Sequence, residues 1–459
     1  MNLQAIAEIP TFVRRWKAYP AYMESGLEWL AEIPSHWETQ RLKFLLRLPL
    51  QYGANEEAGE TDLASPRFVR ITDINERGEL RDDTFRSLAD EKAKLYLLEE
   101  GDVLLARSGA TVGKSFQYRN SWGMCCFAGY LIRARLDQKK CLPDFLNYFT
   151  SSTNYWDWIA SSLIQATIQN VSAEKYDNLL LPLPPPPEQK TIISFLDRET
   201  AKIDTLVTKK ERLIALLQEQ RAALITRVVT KGLDPNVPMK DSGVEWLGEI
   251  PAHWEVKRLK HLTPSGRPIM YGIVLPGPNV DDGVPIVKGG DVSPERLRLD
   301  HLSRTTFEIE SGYVKSRLRG GDLVYAIRGS IGEVASVPNE LEGANLTQDA
   351  ARIAYTRSIY GRWLLYALKS AAVFSQLEAG ALGATIKGIN IRDLKRALIP
   401  VPGRTQQEAI GAFLDRETAK IDGLLAKVCE GIDNLKEYRT ALISAAVTGK
   451  IDVREDVLA

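Results

Sequence analysis

The sequence FLDRETAKID occurs at residues 195–204 and again, without a change, at residues 413–422. The two copies begin 218 residues apart in a chain of 459 residues. Ten identical residues do not recur by chance, so the chain carries an internal duplication. A period of this length indicates two domain-sized repeats instead of a solenoid of short units. We therefore expect the two halves of the chain to do parallel work at two separate sites.

The sequence around each copy keeps the same register. Residues 24–43 (ESGLEWLAEIPSHWETQRLK) and 241–260 (DSGVEWLGEIPAHWEVKRLK) are identical at 14 of 20 positions. Residues 166–185 align with residues 384–403 at nearly the same offset. The stretches between these anchors are much less alike. The same framework is therefore built twice, and the variable stretches are where the two halves can differ in function.

The composition is that of an ordinary soluble globular protein, with 44% hydrophobic and 26% charged residues. No run approaches the roughly 18 apolar residues of a membrane span, and no apolar signal-peptide core is visible at the start. We expect a cytoplasmic location and no membrane partner. The four cysteines form no C-x-x-C pair and predict neither a zinc site nor a disulfide framework: Cys125, Cys126, Cys141 and Cys429.

The net charge is zero, with 59 Lys and Arg residues balanced by 59 Asp and Glu residues. A basic footprint is the usual first sign of a nucleic-acid-binding protein. The bulk composition therefore gives no support for DNA binding, and any such interpretation must rest on motifs.

A proline-containing junction closes each globular half and precedes a long helix. PLPPPPEQ (182–189) carries four consecutive prolines, which favour extended polyproline and are excluded from a helix interior. This junction predicts a helix that begins at Glu188. PVPGRTQQE (400–408) is its counterpart in the second half.

Both long helices carry apolar residues at heptad spacing, and an apolar stripe of this length needs a partner. The simplest partner is the duplicate helix, which can return antiparallel. The alternative is that each helix packs on its own globular unit. The predicted stripe consists of Ile203, Leu206, Leu213, Leu217 and Leu224 in the first helix and Ile421, Leu424, Val428, Leu435, Tyr438, Leu442 and Ala445 in the second.

Short strands and short helices alternate in the globular units. GDVLLARSG (101–109) and GDLVYAIRG (321–329) each indicate an apolar strand between glycine turns. The predicted class is α+β: two duplicated mixed α/β domains and two long antiparallel coiled-coil helices, related by a pseudo-twofold axis. The predicted boundaries are a first domain at 1–187, a central helix at 188–232, a second domain at 233–403 and a C-terminal helix at 404–459.

RSGATVGKS (107–115) is the one stretch that looks like a nucleotide-binding loop. That motif needs four residues between the first glycine and Gly-Lys, whereas only three separate Gly109 from Gly113. The duplicate carries Glu333 in place of Lys114. A glycine-rich hairpin whose backbone approaches a DNA phosphate fits better, and a purely structural turn is the alternative.

Other chemistry is equally absent from the sequence. No methyltransferase motif is visible, and no catalytic or metal-binding residue is predicted. His36 and His253 recur in both copies of I-P-x-H-W without an evident partner, and we expect them to pack beside Trp37 and Trp254.

The order of these motifs resembles one family. Each variable unit opens with SGxEWLxEIPxHW and ends in a proline junction, which FLDRETAKID follows. This arrangement is similar to the specificity subunit of type I restriction–modification systems and covers nearly the whole chain. The second junction departs from the pattern because it lacks the proline run of the first.

The resemblance implies that the globular units are target recognition domains, each of which reads one half of a bipartite, asymmetric double-stranded DNA site. The helices would set the length of the spacer between the halves. Two modification subunits that use S-adenosylmethionine to methylate adenine N6 would dock on this chain. Two restriction subunits, which use ATP with Mg²⁺, would join in some systems. The chain itself would catalyse nothing and bind no cofactor.

Base readout needs side chains that hydrogen-bond base edges, and phosphate contacts need similar groups at loop ends. Asn345, Thr347 and Gln348 also stand where the first half has apolar or small residues, which would suit domains that read different bases. The candidates are Tyr52, Arg70, Thr72, Arg107, Ser108, Thr111, Lys114, Gln165, Thr167 and Gln169 in the first half and Tyr271, Lys288, Arg328, Ser330, Asn345, Thr347, Gln348, Thr385 and Lys387 in the second.

Two other functions stay open at this point. One is a coiled-coil adaptor that joins two ligand-binding modules without nucleic acid, which the neutral charge favours. The other is a recognition subunit of a methylation-only or other anti-phage system. The family motifs favour sequence-specific DNA recognition over the adaptor.

Overall fold

A computed structural model gives the architecture of the chain. It describes residues 16–455 apart from residues 28, 58, 60, 76–77, 110, 165–169 and 382–387. The chain divides into two compact units. Unit 1 comprises Met1–Lys210 and Glu430–Ala459, and unit 2 comprises Glu211–Cys429. Both units mix helices with strands, which confirms the predicted α+β class.

Unit 1 is built from short strands and helices that precede the first long helix. Its strands are β1 (Tyr22–Leu27), β2 (Leu30–Pro34), β3 (Glu38–Arg41), β4 (Leu46–Tyr52), β5 (Arg67–Val69), β6 (Val103–Ala106), β7 (Ser115–Gln117), β8 (Cys125–Phe127), β9 (Leu131–Leu136) and β10 (Leu180–Leu183). Its short helices are α1 (Asp90–Ala93), α2 (Pro143–Phe149), α3 (Thr153–Ile164) and α4 (Ala173–Asp177).

The main sheet of unit 1 is antiparallel, with the strand order β4-β9-β6-β7. Strand β6 is buried along its whole length, which explains why its sequence, VLLA, contains only apolar residues. A parallel pair, β5 with β8, lies beside this sheet. Helices α2, α3 and α4 contribute the aromatic core of the unit, where Phe145, Tyr155 and Tyr176 are fully buried.

Unit 2 repeats this inventory. Its strands are β11 (Met239–Asp241), β12 (Glu249–Pro251), β13 (Glu255–Arg258), β14 (Met270–Tyr271), β15 (Val284–Val287), β16 (Ser303–Thr305), β17 (Leu323–Ala326), β18 (Val334–Ser336), β19 (Asn345–Leu346), β20 (Ala350–Ile353) and β21 (Leu398–Val401). Its short helices are α6 (Phe307–Ser311), α7 (Gly361–Lys369), α8 (Ala371–Ala381) and α9 (Ile391–Arg396).

The sheets of unit 2 have the same connections as those of unit 1, except that β16 adds a third strand beside β15. The main antiparallel sheet has the order β14-β20-β17-β18, and β15 with β19 forms the parallel pair. Strand β13 pairs with β21 as β3 pairs with β10. The duplication therefore extends through the stretches whose sequences have diverged, because the topology is conserved where individual residues are not.

The two long helices are α5 (Pro186–Lys231) and α10 (Arg404–Val447). Helix α5 begins two residues before the predicted start, so Pro186 and Pro187 lie in its first turn. Proline is tolerated there because the first N–H groups of a helix have no partner within the helix. Each helix contributes one part to each unit.

Within each unit, α5 and α10 pack antiparallel. In unit 1, Arg439 pairs with Asp204 at 3.0 Å, and Ile203 and Leu442 share the core. In unit 2, Arg221 pairs with Asp422 at 2.9 Å. The sequence prediction that the duplicate helices are partners is confirmed inside both units.

The apolar stripe differs in part from the predicted one. Ile203 and Ile421 are buried, as expected, but Leu206, Leu213 and Leu424 are 46%, 43% and 51% exposed. The residues that follow them, among them Val207 and Leu425, turn inward instead. The seven-residue period of the stripe is right. Within each heptad, however, the second residue that faces the partner helix lies four residues after the first, instead of three. We therefore correct those three predicted positions.

The repeated decapeptide packs α5 against unit 1 and α10 against unit 2. Its Phe195 and Leu196 are buried in unit 1, and Leu414 is buried in unit 2. The Asp197 carboxylate accepts a hydrogen bond from the Tyr148 hydroxyl at 2.6 Å. Asp415 accepts the equivalent bond from Tyr366 at 2.7 Å. The identity of the two copies therefore follows from two equivalent docking contacts.

The second repeated motif, I-P-x-H-W, holds the first turn of each long helix. Glu188 accepts hydrogen bonds from Trp37 Nε1 at 3.1 Å and from the Tyr19 hydroxyl at 2.7 Å, and His36 Nε2 lies 2.7 Å from it. In unit 2 the Gln406 amide oxygen takes the place of Glu188 beside His253 and Trp254, at 3.1 Å from each. Both histidines thus have a hydrogen-bonding partner that the sequence did not reveal. The expected packing beside tryptophan is confirmed for His253, whose ring centroid lies 6.4 Å from that of Trp254.

Candidate nucleic-acid interface

Four chain segments of unit 1 meet at one end of its main sheet. Backbone hydrogen bonds join Ala128 to Val69 at 3.0 Å and Ala54 to Phe127 at 2.9 Å. Another joins the Arg107 N–H to the Tyr130 carbonyl at 3.0 Å. This ladder fixes the ends of β4, β5 and β6 beside the 128–130 turn. It creates a surface on which side chains from separate segments lie together.

Tyr52 and Arg107 lie in contact on this surface. The guanidinium carbon of Arg107 is 4.7 Å from the centroid of the Tyr52 ring, which is a cation–π contact. Arg107 Nε also donates to Asn170 Oδ1 at 3.5 Å, and Ser108 forms a β-bridge with Asn170. We call Tyr52, Arg107, Ser108, Tyr130 and Asn170 the unit 1 loop face.

Gly53 shows why the loop face needs a Tyr-Gly sequence. A Cβ atom at Gly53 would collide with the Ala128 carbonyl, and one at Gly272 would collide with the Leu346 carbonyl. Only glycine permits this close approach of two backbones. The residue before each glycine, Tyr52 or Tyr271, is thereby held at the sheet end with 39% or 42% of its surface exposed.

Thr111 and Lys114 lie in the glycine-rich loop between β6 and β7. The Lys114 side chain is exposed and pairs with none of the described residues. The Lys114 N–H donates to the Thr111 carbonyl at 3.0 Å, which closes the turn. The loop after Arg107 therefore presents the Lys114 ammonium group to solvent, where it can bind a phosphate.

Arg70 was predicted beside Thr72 at the same end, but its side chain is already engaged. The guanidinium binds both carboxylate oxygens of Asp73, at 2.7 and 3.1 Å, and the Thr84 carbonyl at 3.1 Å. Asp73 is fully buried, so Arg70 compensates its charge and holds the turn. Thr72 is exposed and stays a candidate. Arg70 therefore supports the loop, and its contact with DNA stays a prediction.

Unit 2 builds the equivalent surface with different side chains. The Asp349 carbonyl accepts the Ile327 N–H at 2.9 Å, as the Tyr130 carbonyl accepts that of Arg107, and it also accepts the Arg328 N–H at 3.1 Å. Arg328, Ser330 and Tyr271 are exposed, and Gln348 and Asp349 are half-buried. We call these five residues the unit 2 loop face. Lys288 is exposed nearby in the chain, with its Nζ donating to Ser303 Oγ at 2.9 Å.

Asn345 and Thr347 were predicted to read bases, but both are buried. Asn345 is fully buried and donates to Glu310 Oε1 at 2.9 Å, and it accepts from Ser316 Oγ at 2.7 Å. Thr347 is 3% exposed and faces the Val287 carbonyl. Because neither side chain reaches the surface, both support the loop face from beneath. This part of the prediction is wrong.

The remaining predicted residues fall in parts of the chain that the structure does not describe. Gln165, Thr167, Gln169, Thr385 and Lys387 lie outside the described residues. Tyr130 and Asn170 were missed by the sequence reasoning. The signal for Tyr130 was its place directly after Gly129 and before an apolar strand.

The described residues offer neither a metal site nor a disulfide. No group of three His, Cys, Asp or Glu side chains among them is arranged to hold a metal ion. All four cysteines are free, and burial raises the pKa of Cys125, Cys126 and Cys141 to about 12. Within the same described stretches, no helix is long and apolar enough to cross a membrane.

Comparison with known proteins gives the relatives of the chain. Residues 36–215 match the family described as the type I restriction modification DNA specificity domain. The chain is 25% identical to the EcoBI specificity subunit of Escherichia coli over 309 residues, which is 66% of this chain and 65% of that protein. It is also 25% identical to the MjaVIII specificity subunit of Methanocaldococcus jannaschii over 82% of this chain and 85% of the relative.

A solved structure supports the fold. The chain superposes with a TM-score of 0.61 and 19% identity on a chain from a structure described as the basis of complex assembly and conformational transition of the type I R-M system. The match covers 91% of this chain and 99% of that one. The chain is therefore related to the specificity subunits of type I restriction–modification systems, and the resemblance seen in its motifs is confirmed.

Proposed function

We propose that this chain is the sequence-specific DNA recognition subunit of a type I restriction–modification complex, in which each unit reads one half of a bipartite, asymmetric site. One observation carries the proposal. The main sheets of the two units have the same strand order and the same backbone ladder at their ends, yet the loop faces present different side chains. A conserved frame with divergent polar surfaces is what two related readers of unrelated half-sites require.

Local charge supports the proposal although the net charge is zero. Arg107 and Lys114 in unit 1, and Arg328 in unit 2, are cations held at loop ends. Contacts to phosphates position a protein on the duplex, and contacts to base edges give specificity. The exposed lysine serves the first role, and the polar groups of the loop faces serve the second.

The partners follow from the same duplication. The repeated decapeptides present two matching surface clusters, in which Arg198 and Lys202 pair with Glu199 and, in the second copy, Arg416 and Lys420 pair with Glu417. Two matching surfaces on one chain suit two copies of one partner. We propose that these are modification subunits that methylate adenine N6 with S-adenosylmethionine.

Catalysis then belongs to the partners. In this proposal the chain binds no cofactor and performs no chemistry. Restriction subunits that use ATP with Mg²⁺ join the complex where they are present, and the complex acts in the cytoplasm. The absence of catalytic motifs in the sequence is the reason for the assignment.

Sequencing of N6-methyladenine in the host tests the main proposal. The expected result is a bipartite motif with two unrelated halves that disappears when this gene is deleted. A palindromic or contiguous motif, or a motif that survives the deletion, would overturn it. A catalytically inactive modification subunit is the matched control, since it should abolish methylation while this chain stays intact.

The two long helices are proposed to set the spacer between the half-sites. The ion pairs of Asp204 with Arg439 and of Arg221 with Asp422 fix the helix register in the two units. Inserting about one heptad into α5 should change the preferred spacer and leave both half-site sequences unaltered. An unchanged spacer would remove this part of the proposal.

A further inference from the structure

Tyr130 and Asp349 occupy the same position in the two units. Each is the residue directly before the central strand of its main sheet, β9 or β20. Each accepts, through its carbonyl, the backbone N–H of the residue directly after the neighbouring strand, at 3.0 Å for Arg107 and 2.9 Å for Ile327. The Asp349 carbonyl also accepts the N–H of the next residue, Arg328, at 3.1 Å. The backbone is therefore the same, and only the side chain differs.

The two side chains differ in every property that a DNA base can detect. The Tyr130 ring is 68% exposed and makes no hydrogen bond to any residue that the structure describes. Among the described residues, the Asp349 carboxylate contacts one side chain, that of Thr347, and the distance from Oδ2 to Thr347 Oγ1 is long at 3.4 Å. One unit thus presents an aromatic surface and the other a largely unused acceptor.

The neighbours of these residues suit a DNA groove. Arg107 lies directly beside Tyr130 and covers the Tyr52 ring, and the loop continues to the free cation of Lys114. The exposed Arg328 lies beside Asp349, because its backbone N–H binds the Asp349 carbonyl. An exposed aromatic ring, or a half-buried carboxylate, next to cations that can hold phosphates is well placed to face base edges.

We propose that Tyr130 and Asp349 are equivalent specificity-determining residues, one for each half-site. This inference rests on the proposed function and deepens it. Tyr130 packs on the methyl group of a thymine, because an apolar side chain is the partner that a thymine methyl selects in the major groove. Asp349 accepts a hydrogen bond from the N4 amino group of a cytosine, the base that an acidic side chain selects.

The test uses the full chain co-expressed with its modification subunits, and the readout is the methylated motif. Tyr130→Ala should relax one position of one half-site, and Asp349→Ala should relax one position of the other. Asp349→Asn should change its position from cytosine towards adenine, since asparagine pairs with adenine N6 and N7. Tyr130→Phe keeps the ring and should keep the motif. Leu63→Ala, at an exposed position of unit 1, is the matched control.

The outcomes separate the inference from the proposed function. If the wild-type chain directs no gene-dependent methylation, the proposed function fails. If it directs a bipartite motif and both alanine variants keep that motif at full stringency, only this inference fails. Relaxation in the wrong half-site, or at positions that do not contain thymine or cytosine, also overturns it.

A binding measurement covers the case in which a variant loses methylation altogether. Purified complex is titrated with the wild-type duplex and with duplexes that differ at the assigned base pair. The wild type should discriminate by about 5- to 150-fold, and the alanine variant should bind both duplexes within about twofold of each other. Discrimination that survives in the variant would contradict the assignment.

Discussion

Asp204 on α5 and Arg439 on α10 form an ion pair at 3.0 Å, and the same pair recurs in unit 2 with the residue types exchanged between the helices, as Arg221 and Asp422 at 2.9 Å. Asp204 and Asp422 are equivalent positions of the repeated decapeptide. Each long helix thus carries one aspartate and one arginine of these pairs. Their spacing along the helix is the same in both copies, so each aspartate meets the arginine of the other helix.

The first prediction concerns the energy of this pair. Asp204 is 55% exposed and Arg439 is 36% exposed, so solvent screens their attraction. A double-variant cycle with Asp204→Ala and Arg439→Ala should give a coupling of only about 0.2–1 kcal/mol. Denaturant unfolding measures it, and the cycle on Arg221 and Asp422 is the matched control. A coupling above about 2 kcal/mol would contradict this prediction and show that the ion pair contributes substantially to stability.

The second prediction concerns Glu188 at the start of α5. Glu188→Ala leaves the buried Tyr19 hydroxyl and the Trp37 N–H without an acceptor, which should cost about 2–4 kcal/mol of unfolding free energy. Gln406→Ala in unit 2 removes bonds to Trp254 and to a more exposed His253, and it should cost less. Equal effects of the two changes in denaturant unfolding would contradict this ranking.

The third prediction concerns acid stability in unit 2. The hydrogen bond from Arg317 lowers the pKa of the Glu310 carboxyl. A carboxyl with a lowered folded pKa stabilises the protein above its unfolded pKa of about 4.3 and loses this contribution as the pH falls through the folded value. Glu310→Gln should therefore destabilise the chain by about 1–3 kcal/mol at pH 7 and by progressively less below about pH 4.3.

Thermal unfolding of the wild type and Glu310→Gln across pH 3–7 measures this difference. Asp83→Asn is the control, because its carboxyl pairs with Arg81 at an exposed position and should contribute little. A stability difference between wild type and Glu310→Gln that stays constant across this range would show that the Glu310 charge has no part in it.

The fourth prediction concerns Lys114. If it meets a phosphate, Lys114→Ala should weaken binding to specific and unrelated DNA alike and reduce the salt slope by about one. Lys139 is also exposed but follows the opposite end of β9, so Lys139→Ala should leave both quantities unchanged. Loss of affinity for the specific site alone would identify Lys114 as a base contact instead.

The duplication, the class of fold and the pairing of the helices could be read from the sequence because they depend on identical segments. The loop faces could be read only in part. Tyr52, Arg107 and Ser108 were found because each lies at a duplicated turn. Asn345 was misplaced because an isolated polar residue looks the same in sequence whether it faces solvent or a buried Glu310. Register within the helices failed for a similar reason, since apolar residues occupy both candidate positions of the heptad, as at Leu206 and Val207.

Unit 1 is assembled from two distant parts of the polypeptide, whereas unit 2 is a single continuous stretch. Within unit 1 the Asp452 N–H binds the Lys17 carbonyl at 2.7 Å, and Leu442 completes the core around Ile203. A ribosome makes residues 211–429 before residues 430–455. Unit 2 can therefore finish folding during translation, while unit 1 must wait, with part of its core uncovered, until the last stretch emerges. Premature termination in the part of α10 after residue 429 would then damage unit 1, the unit whose first part is encoded first.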